Sequence, residues 1–591
     1  MTPIETAGQN IVTQLTVILA AVSLPTDTFT PPPTSTSYYF NSTIGNDAND
    51  CKSAANACKT IAKAMSLSYG AGDKLLFAGS FSGNVTITPI TVPSLGDSRF
   101  PIIVGSLDPN NRATITARIG GETGIVQISG VSGVTITDLI LRGPAGAGTP
   151  QTMPRGGVMI QNPGAAPQSA IIVRNNDIAG ISYTDALRNH SDPNSIGDWG
   201  GEIFIEGSPG QQSGGQTNIL IENNDLHGLN GPTSHDDTGI GTFGGQPQSN
   251  FTIRGNRIWD IGGGPTGLNP GVAYAPLGSG ITTNWDNSLI EHNVIHDVGG
   301  NMSKCGGPAG ILVGSSHNVV VQYNEVYRVQ PVNYSGNGCD WIGIDFDSET
   351  TDSTMQYNYT HGNFNSGLYL FHTGSGIWDN NTVRYNISEN DNTAGIPGFG
   401  AIGVSLSTNS KVYIYNNTVF NNLTYNGPLW GNFKQGVYAI SMVDYGNVGG
   451  LIANNVFILT RGNENYCLGL HGRESPPGYD PTVTITNNHF HCPSGEAWIN
   501  YWKNHPYYSK GFSEVAAASG KFQNTTLGDP MITSGGTGPN GYVLQRGSPT
   551  IGSGLDYHTL APNPPTADYF GNPIPIAGYN RGADGGTTSM K

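Results

Sequence analysis

Ile221-Glu-Asn-Asn224-Asp-Leu226 decides the fold of this chain, because it recurs. Val173-Arg-Asn-Asn176-Asp-Ile178 precedes it, and Ile253-Arg-Gly-Asn256-Arg-Ile258, Ile290-Glu-His-Asn293-Val-Ile295 and Val321-Gln-Tyr-Asn324-Glu-Val326 follow. The template, apolar-x-x-Asn-x-apolar, loosens at Asn358 and Asn386. It recovers at Ile414/Asn417/Val419, Ile452/Asn455/Phe457 and Ile485/Asn488/Phe490. Successive asparagines are mostly 28 to 38 residues apart. A single match arises by chance; a nearly even series does not.

Each repeat carries a second short apolar run that usually opens with glycine. Examples are Gly157-Val-Met-Ile, Gly280-Ile-Thr-Thr, Gly310-Ile-Leu-Val, Gly343-Ile-Asp-Phe, Gly367-Leu-Tyr-Leu and Gly403-Val-Ser-Leu. These runs alternate with period two and are bounded by Gly, Asn and Asp turns, so they predict strands. Two or three short strands cannot bury their own apolar face; stacked coils can, and the result is a solenoid. The repeated asparagine is expected to accept the left-handed backbone where one strand bends into the next. Its amide is also expected to bond to the coils above and below. The series is thus a structural ladder rather than a set of catalytic groups.

Composition agrees. The 591 residues include 84 glycines, about twice the usual share, and only 12 % charged residues. No apolar run is long enough for an integral membrane span. Lys+Arg 26 against Asp+Glu 42 leaves a net charge of −16, which argues against nucleic acid as a partner, since phosphate neutralisation needs cations. Low charge with abundant Asn, Ser, Thr and Tyr suits a hydrated partner such as a polysaccharide. Whether the chain is a monomer or a homo-oligomer stays open.

The ends differ from the middle. Residues 1–37 form an apolar segment (Ile11 to Leu24) and a Pro-rich linker. The segment reads either as a signal-peptide core, although no basic residue precedes Lys52, or as an element packed on a partner. Residues 38–585 are expected to be one solenoid domain with its end caps, and 586–591 a tail. Ile61, Ala64 and Met65 at helical spacing predict a short amphipathic helix covering the open N-terminal end of the solenoid. Ser548–Gly554 and Asp568–Pro573 are non-repeating and predict a terminal cap. Six cysteines fall into three sequence neighbours: Cys51 with Cys58, Cys305 with Cys339, and Cys467 with Cys492. Short loops close at least entropic cost, so local disulfides and an extracellular or cell-surface location are expected.

Tyr38-Tyr-Phe-Asn-Ser-Thr-Ile-Gly-Asn-Asp, the Lys59-Thr-Ile-Ala-Lys-Ala segment with Gly72-Asp-Lys-Leu-Leu-Phe, and the asparagine repeats together resemble the pectate-lyase-like superfamily. The resemblance covers roughly residues 38 to 585 and implies an all-β, right-handed parallel β-helix. It spans pectate and alginate lyases, polysaccharide hydrolases, uronan epimerases, phage tailspikes and non-catalytic surface proteins. The Asp-Pro-His-Asp motif of the epimerases is absent, as is the polygalacturonase motif set.

Chemistry is sought on outward strand positions. In Ile342-Gly-Ile-Asp-Phe-Asp, the alternation assigns Ile342, Ile344 and Phe346 to the core, and Asp345 and Asp347 to the outer face, about 6.7 Å apart by strand rise. An inverting glycosidase needs an acid and a base about 6.5–9.5 Å apart. The bland alternative is a pair of solvated or turn-bonding aspartates. Applying the same register to neighbouring coils, Asn284 precedes the pair, and Tyr369 and Phe371 follow it, with His372 next. Glu202 and Glu206 face out further upstream, and Asp236 and Asp237 lie in a loop that overhangs the face. Trp285 and Trp341, like Trp199 and Trp378, either stack on sugar rings or pack beneath loops. A polysaccharide lyase would instead use Ca²⁺ on Asp345, Asp347 and Asp340 with a base such as Lys304; a hydrolase needs no cofactor. The leading expectation is an extracellular polysaccharide-cleaving enzyme, with hydrolysis preferred to elimination. The alternatives are a non-catalytic adhesive or filament-forming β-helix and a tailspike-like depolymerase.

Overall fold

The computed structural model describes residues 35–586. It leaves aside 89–98, 119–123, 145–153, 182–199, 208–213, 230–237, 244–247, 263–277, 301–307, 333–339, 373–375, 397–398, 407–409, 425–436, 445–447, 462–464, 473–481, 493–495, 501–507 and 512–520. The strands fall into three long sheets of 14 or 15 strands each. The chain visits them in rotation, first, second, third, then the first again one coil further on. Among the described residues every pairing between strands but one is parallel, the exception being Glu496–Asn500 with Tyr508–Gly511. This is the expected parallel β-helix. The short helix Ile61–Met65 is present, started by the Thr60 hydroxyl accepting from the Lys63 N–H and burying Ile61 and Ala64. Cys51 and Cys58 form a disulfide, and Cys492 is also disulfide-bonded. Cys305 and Cys339 lie outside the described residues, as does the side chain of Cys467.

The ladder forms at the bend between the first and second sheets. The Asn224 Nδ2 donates to Asn256 Oδ1 at 3.0 Å and to the Val173 carbonyl of the preceding coil at 2.9 Å. Its Oδ1 accepts from the backbone N–H and the Nδ2 of Asn176. Every amide group is therefore satisfied at full burial. One expectation needs correcting. The ladder asparagines are not the left-handed residues; the residue before each one is. Asn175, Asn223, His292, Tyr323, Tyr357, Tyr385, Asn416, Asn454 and Asn487 have φ between 51° and 58°. The preceding residue turns the chain and the ladder residue ties it down.

Glycine opens the third-sheet strands for a steric reason. A Cβ on Gly280 would stand 2.5 Å from Ile295 Cγ2, and one on Gly310 would stand 2.2 Å from Val326 Cγ1. At Gly280 and Gly310 the chain enters the third sheet directly over inward side chains of the second, and only hydrogen fits at these two positions.

The non-repeating C-terminal segment runs back along the flank where the ladder lies. Arg581 donates to the Asn488 carbonyl, Asn454 to Leu555 O, and Asn416 to Asn580 O. Further back, the Tyr385 and Tyr557 hydroxyls are 2.6 Å apart and Tyr357 donates to Ala567 O. Inside it, Asp568 and Asp584 are buried close together, and Asp584 is pushed up by burial and by Asp568.

Candidate functional site

Asp345 lies in the strand Ile342–Phe346 of the third sheet, in register with Leu312 on one side and Tyr369 on the other. Ile344 and Phe346 belong to the main core, as the alternation requires. Ile342 does not. It packs outside, with Ala309, Tyr369, Leu312, Phe371 and Phe399. The bend at Gly343 explains this: glycine occupies the inward place, so the residue before it is turned out. Asp345 therefore rises beside an apolar collar.

The carboxyl of Asp345 is 5 % exposed and its Oδ1 has no hydrogen-bond partner. Burial pushes it well above the usual carboxylate range, and the neighbouring Asp347 and Asp340 push the same way. Asp347 is less enclosed. It accepts from the backbone N–H of Ser348 at 2.6 Å and from its hydroxyl at 2.9 Å. Burial raises it too, opposed by those Ser348 bonds and by His372. The two carboxyls differ in kind: one lacks a partner, the other is held by hydrogen bonds that favour its anion.

The remaining expected residues divide sharply. Asn284 accepts from the Thr242 hydroxyl at 2.9 Å and lies on the same face. His372 is buried at an inward position, paired in register with the core residue Leu406, and neither ring nitrogen has a hydrogen-bond partner. It touches the site through its field on Asp347 and does not face out. Trp285 and Trp341 are 0 % exposed within the main core, so neither offers a ring to a sugar. Trp341 donates its indole N–H to Gly299 O, which anchors the chain just before Ile342. Glu202 is also 0 % exposed. It replaces glycine at the inward bend position, in line with Gly157, and accepts from the Ile181 N–H. Glu206 does face the outer side, but Arg155 at 2.8 Å and Gln161 occupy its oxygens. Lys304, Asp236 and Asp237 lie outside the described residues.

A calcium ion takes six to eight oxygens, and Asp345 is flanked in register by Leu312 and Tyr369. Among the described residues, no group of three His, Cys, Asp or Glu side chains is placed to hold a metal. A cleft of about 780 Å³ opens on the next corner, lined by Glu349, Asp352, Asp379 and Lys411. Its aspartates are engaged in local bonds, Asp352 with Asn380 and His317, and Asp379 with the Lys411 N–H.

No family model matches the chain. It is 33 % identical over 149 residues to the lacto-N-biosidase of Bifidobacterium longum subsp. longum, a stretch that covers 23 % of this chain and 8 % of that protein. Among solved structures, it is similar to the GH136 lacto-N-biosidase of Eubacterium ramulus, with a TM-score of 0.43 and 15 % identity, covering 77 % of this chain and 68 % of that one. It is also similar to the Dettilon tailspike protein, with a TM-score of 0.43 and 16 % identity over 70 % of this chain and 63 % of that one. Among the described residues, no helix is long and apolar enough to cross a membrane.

Proposed function

We propose that this chain is a glycan-cleaving enzyme, a glycoside hydrolase acting on a polysaccharide laid along the outer face of the third sheet. The observation that carries the reading is the unpartnered, buried carboxyl of Asp345 beside the hydrogen-bonded carboxylate of Asp347. A carboxyl kept neutral by an apolar surround is what a general acid requires. Asp345 donates its proton to the glycosidic oxygen as the bond to the anomeric carbon breaks. Asp347 takes a proton from the water that attacks that carbon. Two residues along a strand span about 6.7 Å, within the range that admits this water. The short stretch of likeness to a protein named as a biosidase supports the same class of chemistry.

The disulfide Cys51–Cys58 and a polymeric substrate together favour an extracellular enzyme. A polysaccharide panel tests the reading when reducing ends and ultraviolet absorbance are followed together. Hydrolysis gives new reducing ends with no unsaturated product. Absorbance from an unsaturated uronate would replace hydrolysis by elimination. Binding without cleavage would make the chain an adhesive or tail-fibre protein.

A further inference from the structure

The outer face beside Asp347 is open on one side, and the floor of the opening is a glycine. Gly314 follows Val313, which pairs with Thr283 in the coil before and with Phe346 in the coil after. The Gly314 N–H donates to the Thr283 carbonyl at 3.0 Å, and the Asp347 N–H to the Val313 carbonyl at 2.8 Å. Asn284, Gly314 and Asp347 therefore lie side by side in three successive coils, and all three are half-exposed. Among the described residues, a Cβ on Gly314 would meet only Leu312 Cδ2, at 3.6 Å, which is ordinary contact. The coils past Phe371 are closed by comparison. Ser405 is 3 % exposed, and a Cβ on Gly403 would stand 2.4 Å from the Tyr369 ring. Strands are about 4.8 Å apart, which sets Asn284 about 9.6 Å from Asp347 along the solenoid axis. Two polar residues thus frame a gap the size of one sugar ring, with no side chain on the strand between them.

We propose that Gly314 is the floor of a subsite for an uncharged sugar ring, on the N-terminal side of the bond cut at Asp345. The ring settles onto the backbone at Gly314, where a larger residue would lift it away, and the half-exposed Leu312 lies against its apolar edge. The Thr242 hydroxyl donates to Asn284 Oδ1 at 2.9 Å and so fixes the amide, whose Nδ2 donates to a sugar hydroxyl. The charge pattern selects a neutral sugar. Followed from the Asn284 coil to the Phe371 coil, the outward rows of Asp345 and Asp347 hold no Lys, Arg or His. A uronate over Gly314 would face Asp347 with no cation in either row to offset it.

The inference rests on cleavage at Asp345, so its test reads binding rather than turnover. Full-length Asp345→Asn protein is titrated by calorimetry with gluco-, galacto-, xylo- and manno-oligosaccharides and with an oligogalacturonide. One neutral series is expected to bind and the oligogalacturonide not to bind. Gly314→Leu, added to Asp345→Asn, fills the gap and is expected to abolish that binding with an unchanged melting temperature. Asn284→Ala leaves the floor open and is expected to weaken binding about five- to tenfold, the worth of one net hydrogen bond; it carries the test alone if Gly314→Leu fails to fold. Undiminished binding by folded Gly314→Leu or by Asn284→Ala, tighter binding of the oligogalacturonide, or no binding in any series would overturn the subsite. If the unaltered protein nonetheless hydrolyses a glycan, the proposed function survives that failure.

Discussion

Asp345 stands directly beside Tyr369 across two paired strands, so a carboxyl and an aromatic ring share one wall of the third sheet. The ring, with Leu312 on the other side, is what keeps the acid dry. Asp345→Asn and Asp347→Asn should each lower turnover by about 10²- to 10⁴-fold, the usual worth of an acid or base. Asp345→Asn should leave the melting temperature unchanged or raise it, since a buried carboxyl that resists ionisation is lost. Full activity in either variant would remove these residues from the chemistry.

Stability should decline as pH rises through the acid-to-neutral range. Asp391, buried and bonded to Ser388, Thr360 and Asn363, is pushed by burial to about 6, and Asp584 to about 7. Both bind a proton in the folded state after an unfolded aspartate, near 3.9, has released it. Their contribution is complete below about 3.9 and is lost as pH climbs through about 6 and 7. Asp177 and Asp297 act in the opposite sense. Burial opposes their ionisation, but bonds from His227 and Arg142 to Asp177, and from Arg328 and His296 to Asp297, hold both below the usual range. Their contribution is lost as pH falls below about 3.9. Melting temperatures should peak in mildly acidic buffer, and Asp584→Asn should flatten the decline toward neutral pH. A wild-type melting temperature that rises from pH 5 to 8 would contradict this.

The ladder should tolerate no gap. Asn386 accepts from Asn358 through both its backbone and side-chain N–H groups and donates to Met355 O and Asn417 Oδ1. Asn386→Ala strands several buried groups at once. A loss of about 3 kcal/mol or more is expected in urea unfolding, each orphan costing about 1–3 kcal/mol. A loss below about 1 kcal/mol would mean that the coils hold their spacing without it.

Two glycines in adjacent coils should behave oppositely. Gly280→Ala places a methyl 2.5 Å from Ile295 Cγ2 and 2.6 Å from Gly310 O, and should cost about 1–3 kcal/mol by overpacking. Gly314→Ala meets only Leu312 Cδ2 at 3.6 Å and should be nearly neutral. Paired thermal melts compare them directly; equal effects would refute the steric account of the glycine row.

The solenoid was legible in the sequence because Asn224 and its equivalents must recur once per coil, and a period survives translation into text. The outward placement of Asp345 followed from strand alternation between Ile344 and Phe346. Alternation failed where the backbone bends. At Gly343 and at Glu202 the chain turns into the core, which sends Ile342 out and Glu202 in. The inward glycine row contained the signal needed to foresee this, since glycine there reports a crowded interior rather than a flexible turn. Trp285 and Trp341 misled for a different reason: a large ring suits a sugar or a core equally, and only neighbours from distant coils decide between them.

The asparagine relay also has a direction. From Asn176 to Asn455 each Nδ2 donates to the ladder Oδ1 of the next coil, never to that of the coil before. Turning one amide over would set oxygen against oxygen on one side and nitrogen against nitrogen on the other. The orientation is thus a single choice made for the whole column, and the amide dipoles add along the axis. A coil can therefore pack on the column only in phase and with the same amide polarity, so the ladder fixes register as well as holding the coils together.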